Sequence, residues 1–268
     1  MSRVKSAPAR KLDLLVLHVL RVRDLTPNMR RVVLGGEGLA RFDVPRNALG
    51  PYVKLLIPPR GLDTPAWPIL EADGRLTWPE PDRRPVMRTY TVRHLDPSTR
   101  ELHIDFVLHG DSGIGSRWAA DAAPGTPVGI WGPGCVTAQN IDWYLLAGDH
   151  TALPAIGFIL ENLPPDAKGQ AFIQVPSRAD ELPLVGPKGL SVTWLHGHGR
   201  GEAQSLLDAV RSAAWPEGRP LVWAGAEASL ARAIRLYARK ERRLDRDQCH
   251  ILNYWKSGAP EGSFDYGG

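Results

Sequence analysis

Residues 143–163 read WYLLAGDHTALPAIGFILENL, and the spacing of apolar residues changes inside them. WYLLAG (143–148) is a short apolar run that stops at Gly148, the form of a buried strand. From Thr151 onward the apolar residues recur at helical spacing, with Thr151 the expected N-cap. The chain downstream repeats this alternation. GQAFIQV (169–175), LSVTWLHG (190–197), RPLVWAGA (219–226) and QCHILNYW (248–255) are strand-like. EAQSLLDAVRSAA (202–214) and EASLARAIRLYARKERR (227–243) are expected to be amphipathic helices. Strand alternating with helix predicts a doubly wound, mostly parallel α/β sheet over residues 140–268.

Upstream the pattern is different. LDLLVLHVLRV (12–22), RRVVLGG (30–36), PYVKLLIP (51–58), GRLTWP (74–79), MRTYTVRHL (87–95), ELHIDFVLHG (101–110) and GTPVGIWGP (125–133) are short apolar stretches bounded by Gly, Pro, Asp or Asn. Strands at this spacing predict an antiparallel β-barrel or sandwich over residues 1–139. The boundary is placed in CVTAQN (135–140), and residues 58–86 form a long Pro-rich excursion.

Composition narrows the function. The chain has 268 residues and a net charge of +4. Its basic residues are scattered apart from ARKERRLDR (238–246), read as the solvated face of a helix, so no nucleic-acid partner is expected. A local anionic ligand is the better use of the surplus charge. No run of about 20 apolar residues is present, so no stable membrane insertion is expected. MSRVKSAPARK at the N-terminus has no secretory pattern. Cys135 and Cys249 are expected as reduced thiols of a cytoplasmic protein. No Cys, His and carboxylate set has metal spacing.

Three stretches carry chemistry. In RTYTVR (88–93), alternate residues of a strand share a face, so Arg88, Tyr90 and Val92 point one way. A flat aromatic beside a fixed cation suits a flavin nucleotide: Tyr90 for the ring, Arg88 for pyrophosphate and Thr91 as a hydrogen-bond donor. An exposed barrel strand with ordinary polar residues would read the same way. HGDSGIGSRWA (109–119) runs from a strand into a helical start, where glycines and Ser116 suit phosphate, or form only a capped turn. GDHTALPAI (148–156) ends the first strand of the α/β half, the place where such sheets bind ligands. No GxGxxG fingerprint is present, which disfavours an ordinary Rossmann dehydrogenase.

These stretches in this order, with VWAGAEASLARAIRLYAR (222–239) and NYWKSG (253–258), resemble the siderophore-interacting proteins, flavin-dependent ferric-siderophore reductases related to ferredoxin–NADP reductases. The resemblance spans about residues 14–258. It implies an FAD-binding barrel followed by an NAD(P)-binding-like domain. It implies cofactor contacts from Arg88, Tyr90, Thr91, Arg93, Val107, His109, Ser116, Trp118, Ala119, Asp149, Thr151, Ala152 and Trp255. It also implies that Lys54, Arg117 and Lys256 bind the anionic ferric siderophore. The sequence departs from the family pattern at His150 (usually Glu), at Ile114–Gly115 (GIGS for GPAS) and at Asn253 (NYW for GYW). His150 either adds a pH-dependent charge or is a neutral surface substitution. The implied reaction passes electrons from NADH or NADPH, with ferredoxin a further donor, through FAD to chelated Fe(III). A flavin oxidoreductase with another acceptor and a non-catalytic iron-chelate binder stand as alternatives. His18, His94, His103, His196, His198 and His250 are read as structural or surface residues, with HGHGR (196–200) a further contact for a nicotinamide phosphate.

Overall fold

The computed structural model describes residues 5–6, 14–62, 65–73, 75–78, 80–109, 113–197, 203–259 and 261. Residues 110–112 of the glycine-rich stretch and 198–200 of HGHGR lie outside them. Internal contacts gather into two compact units. In the first, the strands between Leu14 and Pro45 join Pro51–Cys135. In the second, Lys5–Ser6 and Arg46–Gly50 join the chain from Val136 on.

The first unit is an antiparallel sheet of seven strands: β1 (Leu14–Thr26), β2 (Met29–Gly35), β3 (Tyr52–Ile57), β4 (Val86–Thr91), β5 (His94–Asp96), β6 (Glu101–Val107) and β7 (Pro127–Gly134). They lie in the order β4-β3-β7-β1-β2-β6-β5. The sheet closes on itself. The Arg93 N–H donates to the His103 carbonyl at 3.0 Å, and the Tyr90 ring lies 4.3 Å from that of Phe106. Strand β4 and strand β6, far apart in the sheet order, therefore meet. One helix, α1 (Ile114–Asp121), follows β6.

Alternation on β6 sets its two faces. Leu102, Ile104 and Phe106 are buried in the core with Leu17, Val32, Val53 and Leu55. Glu101, His103 and Asp105 lie on the other face. There Arg31 grips Asp105 with two hydrogen bonds of 2.6 and 2.8 Å. Arg21 grips Glu101 with two of 2.6 Å, and those bonds hold the Glu101 carboxyl down to about 2. MRTYTVRHL, expected as one strand, is broken after Thr91. The Val92 side chain is fully buried and its N–H donates to the Pro51 carbonyl. GRLTWP contributes only Leu76–Thr77, paired with Ile69–Leu70 inside the Pro-rich excursion.

The second unit carries five parallel strands: β8 (Trp143–Gly148), β9 (Lys168–Val175), β10 (Gly189–His196), β11 (Pro220–Glu227) and β12 (Cys249–Trp255), in the order β10-β9-β8-β11-β12. The crossovers hold α2 (Leu153–Asn162), α3 (Ala203–Ser212) and α4 (Ala228–Leu236). β11 is buried along almost its whole length, as a central parallel strand must be. The basic residues of the run after α4, Arg239, Lys240, Arg242, Arg243 and Arg246, are exposed as expected, but the backbone there is not a continuation of the α-helix. The chain enters a π turn at Tyr237–Glu241 that buries Tyr237 and Ala238, and Arg242 lies 3.9 Å over the Trp215 ring.

Asp105 draws two arginines of the barrel unit, Arg31 at 2.6 Å and Arg93 at 4.0 Å, with its side chain 1% exposed. Asp105→Ala leaves Arg31 without its partner and should cost about 3 kcal/mol. A lower urea midpoint at unchanged slope would record this, whereas a loss below about 1 kcal/mol would mean that solvent replaces the pair.

Candidate functional site

In the first unit the site residues are arranged by β4 and by the turn from β6 into α1. Arg88 pairs in register with Leu55 and Tyr90 with Val53, so both belong to the face of β4 that meets the core strand β3. Arg88 is half-buried, and its guanidinium donates to the Met87 carbonyl at 2.8 Å. Among the described residues no carboxylate pairs with it. Arg93 is held by Asp105 at 4.0 Å. Thr91 is buried on the opposite face and pairs with Tyr52. Lys54 shares that opposite face, where its ammonium donates to Thr89 Oγ1.

Tyr90 is one end of an aromatic row, centred on Phe106, that the sequence reading missed. Its ring packs on Phe106, and Phe106 packs on Trp118 at 5.5 Å. The Trp118 indole N–H is buried without a hydrogen-bond partner among the described residues. The glycines of the turn into α1 allow this packing. A Cβ on Gly115 would lie 1.9 Å from Tyr90 Oη, and one on Gly113 would lie 2.6 Å from the His109 ring. Ser116 is buried, and its Oγ accepts the His109 backbone N–H at 3.2 Å. Val107 ends β6 half-buried, and Arg117 and Ile114 are exposed. Ala119 is a core residue whose carbonyl accepts from Arg30.

In the second unit the site residues meet at the carboxyl ends of β8, β11 and β12. Asp149 is part-buried and accepts four hydrogen bonds. Its Oδ1 takes the Thr151 N–H at 2.9 Å and the Thr151 hydroxyl at 2.5 Å. Its Oδ2 takes the Glu227 N–H at 2.9 Å and the Trp255 indole N–H at 2.8 Å. A carboxylate has about four acceptor positions, so protein donors use them all. Burial pushes the Asp149 carboxyl above its ordinary value, against the pull of the donors from Thr151, Trp255 and Glu227. The expected Thr151 cap is corrected here. Asp149 caps the turn by accepting from Thr151, and a 3₁₀ turn at His150–Ala152 precedes α2. Ala152 is fully buried.

Glu227 is the other residue that the sequence reading passed over. One of its oxygens accepts the Ser229 N–H at 2.6 Å and the Ser229 hydroxyl, capping α4, and the other accepts the Ser257 N–H at 3.3 Å. Burial works against its charge, but the donors from Ser229, Ser257 and Leu230 outweigh burial and hold its carboxyl below the ordinary value. Its signal was present as a Glu two residues before Ser229 at a strand–helix junction. His150 is 7% exposed, which removes the reading of it as a surface substitution. Asn253 has a local use, accepting from Arg235 of α4 at 3.3 Å. Trp255 is 42% exposed, and Lys256 is exposed beyond it. Among the described residues no three His, Cys, Asp or Glu side chains are grouped to hold a metal ion.

Comparison with known proteins bears on both units. Residues 18–137 match the family model of the siderophore-interacting FAD-binding domain, and residues 141–258 match that of the siderophore-interacting protein. An uncharacterised protein of Mycobacterium tuberculosis is 40% identical over 92% of this chain and 91% of its own. The ferric vibriobactin reductase of Vibrio cholerae is 34% identical over 93% of this chain and 92% of its own. The crystal structure of a siderophore utilization protein from T. fusca superposes with a TM-score of 0.86 at 38% identity, covering 99% of each chain. The barrel unit fits a flavin nucleotide on its own evidence. Arg88 has no described carboxylate partner, the Trp118 N–H has no hydrogen-bond partner among the described residues, and glycine at 113 and 115 lets His109 and Tyr90 close onto the turn into α1.

The close approach at Gly115 is testable in the protein alone. Gly115→Ala should cost about 1–3 kcal/mol, because its methyl overlaps the Tyr90 hydroxyl. In a Tyr90→Phe background, which removes the nearest atom, the urea-midpoint loss should shrink. An equal loss in both backgrounds would place the strain elsewhere.

Proposed function

Because the chain belongs to the siderophore-interacting protein family, we propose that it is a cytoplasmic FAD-dependent ferric-siderophore reductase. It takes electrons from NADH or NADPH, or from ferredoxin, and delivers them to chelated Fe(III). The observation that carries this reading is the likeness to the ferric vibriobactin reductase of Vibrio cholerae along 93% of the chain. On this reading residues 1–139 hold the flavin and residues 140–268 receive the nicotinamide.

Each residue then has a task set by its chemistry. Arg88, a half-buried cation, holds the pyrophosphate by charge-assisted hydrogen bonds. Tyr90 packs against the flavin ring, kept in place by Phe106. Thr91 and the strand end at Val107 and His109 line the same cofactor. Ser116 and the start of α1 meet a phosphate. Arg93, Trp118 and Ala119 hold the strand and helix that present these groups. Asp149, Thr151, Ala152 and Trp255 form the turn and the aromatic on the nicotinamide side. Lys54, Arg117 and Lys256 are the cations offered to the acceptor. A bound flavin supplies the conversion between a two-electron donor and a one-electron acceptor.

Iron enters as substrate and leaves as product. Siderophores hold Fe(III) with hard oxygen donors, and the softer, less charged Fe(II) is held less tightly, so reduction releases it. The chain needs no iron ligand of its own for this. Ferric catecholates carry high negative charge, and exposed cations raise their local concentration and rate of arrival.

Arg88→Ala should weaken FAD binding about ten- to a hundredfold, the worth of one charge-assisted hydrogen bond. Equilibrium dialysis of the flavin against wild type and variant measures this. Equal retention would remove Arg88 from the pyrophosphate.

A further inference from the structure

The C-terminal segment is anchored on both sides of one residue. Trp255 donates its indole N–H to Asp149 Oδ2 at 2.8 Å. Ser257 donates its backbone N–H to Glu227 Oε1 at 3.3 Å. Between these anchors stands Lys256. Its carbonyl accepts the Ala259 N–H at 3.1 Å, and Lys256 and Ala259 form an antiparallel bridge. The backbone that carries Lys256 is therefore fixed at three points, while its side chain is exposed.

The anchors are themselves rigid. Asp149 follows β8 directly and is tied to Thr151 and to the Glu227 N–H. Glu227 is the last residue of β11 and caps α4 through Ser229. Two strands and a helix start thus converge on the flanks of one lysine.

We propose that Asp149 and Glu227 are positioning residues that clamp the two neighbours of Lys256 and so present its ammonium to an anionic ferric chelate. This rests on the reading of Lys256 as an acceptor-side cation. A cation on a fixed backbone loses less freedom when an anion binds than one on a loose tail. Carboxylates this near a cation would ordinarily repel an incoming anion. Here the charge of Asp149 is spread over four donors and that of Glu227 over hydrogen bonds from Ser229 and Ser257.

Glu227→Gln separates the clamp from the helix cap. The amide oxygen can serve Ser229, which turns the NH₂ group toward the Ser257 N–H, donor against donor. Ser229→Ala does the reverse, weakening the cap and leaving the Ser257 anchor. Hydrogen exchange of the FAD-loaded protein, read on peptides covering residues 255–259, should rise about three- to tenfold in Glu227→Gln, the worth of one hydrogen bond, and stay unchanged in Ser229→Ala. The KM for a ferric tris-catecholate should rise by a similar factor in Glu227→Gln, with kcat retained. Trp255→Phe, which deletes only the other anchoring N–H, should loosen the same peptides and covers the case in which Glu227→Gln does not fold. Lys256→Ala is measured beside them. If it raises KM and Glu227→Gln does not, or if Ser229→Ala matches Glu227→Gln, the clamp is refuted. If Lys256→Ala itself leaves KM unchanged, the acceptor role of Lys256 fails, and the positioning role fails with it.

Discussion

A single carboxylate whose acceptor positions are all taken organises the carboxyl edge of the parallel sheet. Asp149 accepts four hydrogen bonds from three segments: its own turn, the end of β11, and the indole of Trp255 on β12. An ionised group drawn partly away from water is costly unless its acceptor positions are used. The cost is met only while β8, β11 and β12 end at the same level. That constraint makes the sheet's carboxyl end one rigid platform, and the chain leaves the platform through Trp255 and Lys256.

The barrel unit depends on a constraint of a different kind. Its residues around the turn into α1 are ordered by steric fit around Tyr90, which lies against Phe106 on one side and the Gly115 backbone on another. Ser116 then joins the turn back to His109. Charge enters at a few points, with Arg93 and Arg31 drawn to Asp105 and Arg88 donating to the Met87 carbonyl. The unit that matches the FAD-binding family model thus brings together the residue types that the proposed flavin site would use. A stacking aromatic, a cation and a glycine-lined turn occur together.

Much of the architecture was legible in the sequence because periodicity is local. The switch inside WYLLAGDHTALPAIGFILENL separated an antiparallel half from a parallel one, and no long-range knowledge was needed. The hub at Asp149 was not legible for the opposite reason. Its partners Glu227 and Trp255 stand 78 and 106 residues away, and no pattern in the intervening chain announces that they meet. The cap at this turn was misassigned because Asp and Thr both cap helices, and only the direction of the Thr151 N–H separates them. Gly115 looked like a departure from a family pattern, and its meaning appeared only with Tyr90 beside it. His150 was misjudged because burial at a strand end depends on neighbouring strands rather than on its own side chain.

The central claim is that this chain moves electrons from a soluble donor to chelated iron through a flavin. The most direct measurement is an anaerobic titration of the purified, flavin-loaded protein with NADH, NADPH or reduced ferredoxin, followed by a ferric catecholate. The account predicts that at least one donor bleaches the flavin absorbance, and that the chelate restores it with release of Fe(II) to a ferrous indicator. A flavin that no donor bleaches, or one that bleaches and is not reoxidised by any ferric chelate, would contradict it.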